Sequence, residues 1–172
     1  MIGRPDPDEY SAYNPAYVDA VPEDDILGVL RLQAAEFERL VSRIPASLEQ
    51  HRYADGKWSV REVVGHLGDG ERVFGYRAVC ISRGEQAPLP KFDENMYVEA
   101  ANFDECQLAT LASEFLHLRA ANVAALQRLD VTGWRRLGTA SGKPCTVRAL
   151  AYVMAGHVRH HVKILADQYG VS

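Results

Sequence analysis

The chain has 172 residues, of which 47% are hydrophobic and 24% are charged, a balance typical of a compact globular protein rather than a disordered or fibrous one. Its net charge of -4 gives no general attraction to nucleic acid or anionic lipid, so neither is an expected partner. No apolar run approaches the roughly 20 residues that span a bilayer, the first residues do not resemble a signal peptide, and the cysteines are widely spaced. We therefore expect a cytoplasmic protein with no membrane segment.

Residues 1–22 are predicted to form an N-terminal arm. The segment contains four prolines and three tyrosines, at Pro5, Pro7, Tyr10, Tyr13, Pro15, Tyr17 and Pro22. The prolines disfavour regular helix, so the arm is expected to be extended. Its tyrosines need a surface on which to pack, and that surface is either the rest of the chain or a second subunit.

Residues 23–172 contain four segments in which apolar residues recur at alternating intervals of four and three, the spacing of an amphipathic helix. The predicted helices extend from Asp25 to Pro45, from Ser59 to about Gly84, from Asp104 to about Leu129, and from Thr146 to near Gly170. Ser59 and Glu62 form a capping box at the start of the second helix. Each of the first three helices has one polar residue in its apolar seam, namely Gln33, Glu71 and Asn122.

The connections between these helices show no convincing strand pattern. Residues 85–103 form a long crossover with one helical turn near residues 94–101, and residues 133–144 are predicted to be a loop. Four amphipathic helices without a sheet predict an all-α fold, a four-helix bundle with a long crossover connection. The sequence contains neither a phosphate-binding glycine loop nor an HExxH motif.

Three histidines carry the strongest chemical signal. His157 and His161 stand four residues apart in the fourth helix, so their imidazoles project from the same side about 6 Å apart and can bind one ion. Helices also contain this spacing by chance, so a third ligand is required. Because a helix turns by about 100° per residue, His66 falls on the flank of the second helix's seam, where it can face a neighbouring helix. The alternative for His66 is a half-buried histidine that hydrogen-bonds to a carbonyl or to Asp69.

Three histidines on flanks or seams of two helices favour the metal site. The same angular estimate places His160 and His117 on solvated faces, and His51 lies in a polar stretch. Three neutral imidazoles leave coordination positions open for water or substrate, as in catalytic sites. Nitrogen ligands suit Zn²⁺ or Ni²⁺, allow Fe²⁺ or Cu²⁺, and disfavour Mg²⁺ and Ca²⁺.

Two strings of sequence resemble the DinB/YfiT-like superfamily over nearly the whole chain. They are KWSVREVVGHL at residues 57–67, followed by Asp69, Glu71-Arg72 and Arg77, and GHVRHH at residues 156–161. Members of this superfamily are four-helix bundles, often dimers, that hold a divalent metal on three histidines. The resemblance implies the ligands His66, His157 and His161 and leaves His160 outside the coordination shell.

The resemblance also implies an activity. Characterised relatives use the metal to activate low-molecular-weight thiols such as bacillithiol or mycothiol for S-transfer or isomerisation, and others are described as metal-dependent hydrolases. We expect a homodimeric, divalent-metal-dependent enzyme that activates a small thiol for S-transfer. The alternatives are a hydrolase that activates water and a non-catalytic metal-binding or dimerisation module.

The polar seam residues need partners, because a buried polar group without one costs roughly 1–3 kcal/mol. One hypothesis places Glu71 beside the metal as a general base or as the partner of a ligand histidine, with Gln33 and Asn122 in the substrate pocket. The alternative places all three at the bundle ends, in contact with water. Arg77 lies on the same flank as His66 and either binds a substrate carboxylate or, as helix surfaces favour, pairs with Glu71 or Glu85.

Overall fold

The structure, a computed structural model, describes residues 2–10, 13 and 15–171. Four residues of the predicted arm, at positions 1, 11, 12 and 14, and residue 172 of the predicted bundle lie outside this description. In chain order the elements are α1 (Pro15–Asp19), α2 (Ile26–Ser42), α3 (Val60–Ser82), α4 (Glu94–Ala101), α5 (Leu108–Leu126), α6 (Val131–Arg135), β1 (Leu137–Ala140), β2 (Lys143–Thr146) and α7 (Val147–Tyr169). Short 3-10 helices occupy Pro7–Tyr10, Ala46–Leu48 and Phe103–Glu105.

The four long helices form the predicted bundle. Helix α3 packs against both α5 and α7, and α2 also contacts both of them, so each helix buries its apolar seam against two neighbours. The core has two clusters, one around Leu30 and Met154 and the other around Phe37, Leu67 and Phe115. The all-α bundle prediction is confirmed. Within the described residues, no helix combines the length and apolar character that a membrane crossing requires.

The helix ends follow the predicted capping signals. Ser59 and Glu62 form both hydrogen bonds of the capping box at the start of α3, the Thr146 side chain caps α7, and Gly170 ends α7 in the left-handed conformation with φ of 68°. Helix α5 begins at Leu108 rather than at Asp104. The reason is that Asp104 lies in a 3-10 turn, where its side chain accepts hydrogen bonds from Ser59 and from Arg52, a residue of the loop before α3.

The prediction of a loop over residues 133–144 is wrong for residues 133–135, which belong to helix α6, and for the two strands. Strands β1 and β2 pair antiparallel around Ser141 and Gly142, whose φ angles are 53° and 78°. Positive φ at both central residues is the geometry of the two-residue hairpin turn that matches the twist of the strands. The amide of Leu89 donates to the carbonyl of Thr139 at 2.8 Å, so the hairpin is joined to the crossover segment.

The extended conformation predicted for the arm is wrong for Pro7–Tyr10 and Pro15–Asp19, which are helical. Each segment begins with proline, whose fixed φ and missing N–H group suit the first turn of a helix. The arm packs on its own bundle, with Val18 and Val21 buried. A Cβ atom at Gly156 of α7 would lie 1.8 Å from the carbonyl oxygen of Tyr17, so glycine there allows α1 to approach α7 closely.

Candidate metal centre

The structure brings the three predicted ligand histidines together. His66 projects from α3, His157 and His161 project from α7, and one possible ligand atom from each lies within 4.8 Å of the others. Their ring centroids form a nearly equilateral triangle with sides of 4.8, 4.8 and 4.6 Å. All three side chains are buried, and among the described residues no other histidine, cysteine or carboxylate group forms such a cluster. We refer to these three residues as the triad.

Two local features of the helices position the triad. His157 and His161 are separated by one turn of α7, which places both rings on the side that faces α3. Gly70 lies on α3 one turn beyond His66, and a Cβ atom there would come within 2.8 Å of Cε1 of His157. Glycine at this position therefore leaves the space that the His157 ring occupies between the two helices.

Burial keeps the triad imidazoles neutral. Desolvation lowers the pKa of His66 to about 4 and that of His161 to about 2, and it also lowers the pKa of His157 well below its ordinary value. Repulsion from neighbouring histidines, including the rim residue His160, acts in the same direction. At neutral pH each ring therefore has a free lone pair, the form of histidine that binds metals.

The donor set fits a divalent transition metal. Nδ1 of His66 is buried and has no hydrogen-bond partner among the described residues, which is costly for a polar atom. Nε2 of His66 lies 2.9 Å from Nε2 of His157. Two nitrogens on a tetrahedral ion with bond lengths of 2.0–2.1 Å are about 3.4 Å apart, so only a small shift of the rings is needed. The three nitrogen donors suit zinc or nickel better than magnesium or calcium.

A cavity of about 390 Å³ opens on the triad. The bundle helices supply part of its wall, and the remainder comes from the connecting segments. The arm contributes Tyr13 and Tyr17, the crossover contributes Phe92 and Glu94, and the hairpin contributes Ser141. The cavity is therefore complete only when the arm, the crossover and the hairpin are all packed on the bundle.

Aromatic rings surround the triad. The Trp58 ring centroid lies 4.7 Å from that of His66, and the Phe92 ring stacks on His66 at 6.1 Å with nearly parallel planes. Tyr17 and Phe74 approach His157 edge-on at 5.5 and 5.4 Å. These apolar rings reduce the access of water to the imidazoles. Trp58 thus forms a wall of the site.

The polar seam residues form a network in the bundle core and do not line the cavity. The Arg119 guanidinium donates two hydrogen bonds of 2.9 Å to the two carboxylate oxygens of Glu71 and a third, of 2.8 Å, to Gln33. The Asn122 amide donates to Glu71 at 2.9 Å, and Gln33 donates to the carbonyl of Ala155 at 2.9 Å. Glu71, which is 2% exposed, therefore lies in the core rather than at a bundle end, and its predicted role beside the metal stays a prediction.

Sequence reasoning missed Arg119. Arg119 lies on the flank of α5, where an arginine is ordinarily solvated, yet its side chain is 1% exposed. A signal existed: a carboxylate in the apolar seam of a helix needs a cationic partner from a neighbouring helix. The spacing within single helices could not show which arginine reaches it.

Arg77 does line the cavity, and its side chain is buried. The ion pair with Glu71 or Glu85 that the sequence favoured does not form, and no carboxylate of the described residues lies within 4.0 Å of its nitrogens. The substrate-binding role predicted for Arg77 stays a prediction.

The fold and the site define a helical bundle with a buried three-histidine cluster at the base of a cavity. Residues 30–165 match the DinB superfamily, and the chain belongs to this superfamily. The family predicted from the two sequence strings is confirmed. No curated protein matches the chain.

Two solved structures share this fold. YfiT from Bacillus subtilis, a probable metal-dependent hydrolase with an unusual four-helix bundle topology, is 22% identical with a TM-score of 0.76, and the match covers 86% of this chain and 87% of YfiT. A mycothiol-dependent maleylpyruvate isomerase is 16% identical with a TM-score of 0.68, over 90% of this chain and 67% of the isomerase. At these identities the similarity establishes the fold.

Proposed function

We propose that the protein is a metal-dependent enzyme in which His66, His157 and His161 bind one divalent transition metal, zinc or nickel, and that it transfers a low-molecular-weight thiol to a small electrophilic substrate. The observation that carries the proposal is the geometry of the triad: three buried, neutral imidazoles with donor atoms within 4.8 Å of one another at the base of a cavity. A metal bound by these residues would lower the pKa of a thiol or water that occupies its open position.

The residues of the chain supply the surroundings that this chemistry needs. The rings of Trp58, Phe92 and Phe74 exclude water from the triad, which strengthens electrostatic interactions inside the cavity. The cavity volume of about 390 Å³ lies in the lower part of the range for small-molecule sites. The proposed substrate is therefore small, and it would contact residues of the arm, the crossover and the hairpin that line the cavity.

Thiol transfer is preferred to hydrolysis because a thiol is the easier group to ionise. A thiol, with an ordinary pKa of about 8.5, needs a smaller lowering of its pKa to become an anion near neutral pH than water, with a pKa of about 15.7. A hydrolase also needs a general base within hydrogen-bond reach of the water, directly or through one other water. His160 and the exposed Glu94 line the cavity and could supply that base, which keeps water activation as the second candidate.

Two proteins with the same fold support different reactions, thiol transfer and hydrolysis. The isomerase depends on the thiol mycothiol, which favours thiol chemistry, whereas YfiT is described as a hydrolase, which keeps water activation as the second candidate. A homodimer, expected from the family resemblance, is part of the proposal. Sedimentation of the full-length chain would test it.

Metal content tests the site. We would measure metal in purified wild-type protein and in the variants His66→Ala, His161→Ala and His117→Ala by mass spectrometry. His117 is an exposed histidine of α5 and serves as the control. We expect about one metal per chain in the wild type and in the control, and loss in both triad variants. Metal retained in His66→Ala and His161→Ala would refute the three-histidine site.

Cobalt substitution separates thiol from water chemistry. In Co²⁺-loaded protein, a small thiol that coordinates the metal produces a near-ultraviolet charge-transfer band that water cannot produce. We expect this band when a small thiol such as cysteamine is added, together with thiol-transfer activity that His161→Ala lacks. Absence of the band, with ester hydrolysis by the same sample, would favour the hydrolase.

A further inference from the structure

Arg77 has an unusual set of partners for a buried arginine. Its side chain extends from α3, and the residue is 2% exposed. One terminal nitrogen donates to the hydroxyl of Tyr13 at 2.9 Å, and the other donates to the carbonyl of Pro90 at 2.7 Å and to the hydroxyl of Ser141 at 3.2 Å. All three acceptors are uncharged, and they come from the arm, the crossover and the hairpin. The guanidinium is therefore held in place by the segments that complete the cavity.

The other buried arginines of the described chain have carboxylate partners, which Arg77 lacks. Arg119 has a bidentate ion pair with Glu71, and Arg148 pairs with Glu9. Arg77 alone among the three has no carboxylate partner within the described residues. A buried cation without a counter-ion is unfavourable unless an anion reaches it. Of the three, Arg77 is also the one that lines the cavity.

The position of Arg77 relative to the triad sets the size of a ligand that could contact both. Arg77 follows His66 by three turns of α3 on nearly the same side of the helix, which places the two Cα atoms about 16 Å apart. Both side chains nevertheless line the same cavity of about 390 Å³. A small organic molecule in that cavity could therefore contact the guanidinium and the imidazole together.

The charges around the cavity favour an anion. The triad is neutral, and the one carboxylate among the lining residues, that of Glu94, is exposed and forms no ion pair with Arg77. A guanidinium has five N–H donors, and the hydrogen bonds to Tyr13, Pro90 and Ser141 use three of them, so two remain for the oxygens of a carboxylate. Such a group would provide the counter-ion that Arg119 and Arg148 obtain from their own chain.

We infer that Arg77 binds a carboxylate group of the small-molecule substrate, so that the substrate spans from this guanidinium to the triad. The inference rests on the proposed function for the role of the triad, but the binding of the carboxylate requires only Arg77 and the cavity. It assigns the substrate to the class of small carboxylic acids.

The test uses two probes of the same shape, benzoate and benzamide, whose binding is measured by calorimetry on full-length protein. Wild-type protein is expected to bind benzoate at least tenfold more tightly than benzamide. Arg77→Gln should reduce this ratio to within twofold, and Arg77→Lys, which keeps the charge but not the planar fork, should retain an intermediate ratio. Circular dichroism of each variant checks the fold, and the lysine variant decides the question if Arg77→Gln does not fold.

His66→Ala distinguishes this inference from the proposed function. We expect the variant to keep the preference for benzoate, because the carboxylate contacts Arg77 rather than the triad. Loss of the preference in His66→Ala with retention in Arg77→Gln would place the anion at the metal and overturn the inference, while leaving the metal site intact. Equal binding of benzoate and benzamide by the wild type would also overturn it. Arg77-dependent binding of inorganic phosphate tenfold tighter than that of benzoate would replace carboxylate by phosphate as the ligand class.

Discussion

Replacement of Glu71 by glutamine tests the buried network directly. The substitution keeps the shape of the side chain but removes the negative charge that faces Arg119, whose side chain is 1% exposed. Breaking a buried ion pair by removal of one partner costs about 3–5 kcal/mol, because the remaining charge is buried without compensation. For a domain of this size each kcal/mol lowers Tm by about 2–4 °C, so we expect a fall of about 6–20 °C.

Urea denaturation monitored by circular dichroism would measure the change in the free energy of unfolding. Asp167→Asn is the matched control, because Asp167 pairs with Lys163 on the exposed surface of α7 and such pairs contribute less than about 1 kcal/mol. The double variant Glu71→Gln/Arg119→Met removes both charges and should be more stable than Glu71→Gln alone. A loss in Glu71→Gln no larger than that in the control would refute the argument from burial.

The same double variant tests the catalytic role predicted for Glu71. If Glu71 only stabilises the core, thiol-transfer activity measured well below Tm should recover together with stability. If Glu71 transfers a proton, activity should stay low after stability has recovered. The observed contacts favour recovery, since both carboxylate oxygens accept hydrogen bonds within the core and Glu71 does not line the cavity.

Two further predictions concern the triad. Gly70→Ala should weaken metal binding at least tenfold, as measured by competition with a chelating indicator, because the added methyl group would lie 2.8 Å from the ring of His157. Gly68→Ala is the control: its added methyl group would lie 3.9 Å from the nearest neighbouring atom, so this variant should bind metal as the wild type does. The second prediction is that metal-free protein loses stability as the pH falls from about 6.5 towards 4, because the unfolded imidazoles gain protons in this range while the folded ones, with lowered pKa values, stay neutral. Urea midpoints at about pH 7.5 and about pH 5 would measure this loss, which should be smaller in His66→Ala; an equal loss in that variant would show that other groups cause it.

The bundle and the triad could be predicted because each depends on periodicity within single helices. The spacing of apolar residues located all four long helices, and the capping signals at Ser59 and Thr146 located two of their starts within a residue. The histidines could be sorted by their angles around the helix axes, since a helix fixes the direction in which each side chain projects. The structure brings together the three that this sorting selected.

The parts that the sequence did not predict depend on contacts between segments distant in the chain. The partner of Glu71 lies 48 residues away on another helix, and no spacing rule relates the two positions. The hairpin has strands of only four residues, so its alternation is too short to stand out, although Ser141-Gly142 is a dipeptide that can adopt the two positive φ angles of a tight turn. The two helical segments of the arm are likewise short, and they are held by packing on α7.

The division of the site between bundle and connections bears on function. Rigid helices fix the triad, so the arrangement of the three imidazoles depends on the bundle. The cavity-lining residues Tyr13, Phe92 and Ser141 lie on the arm, the crossover and the hairpin. Arg77 joins the two parts, because it projects from a bundle helix and donates hydrogen bonds to all three connecting segments. A protein with this bundle but different connections would keep the three imidazoles and lose the partners that orient the guanidinium. The preference for benzoate over benzamide, compared between the wild type and Arg77→Gln, therefore tests the class of substrate that this chain binds. Metal content tests only the site that the bundle forms.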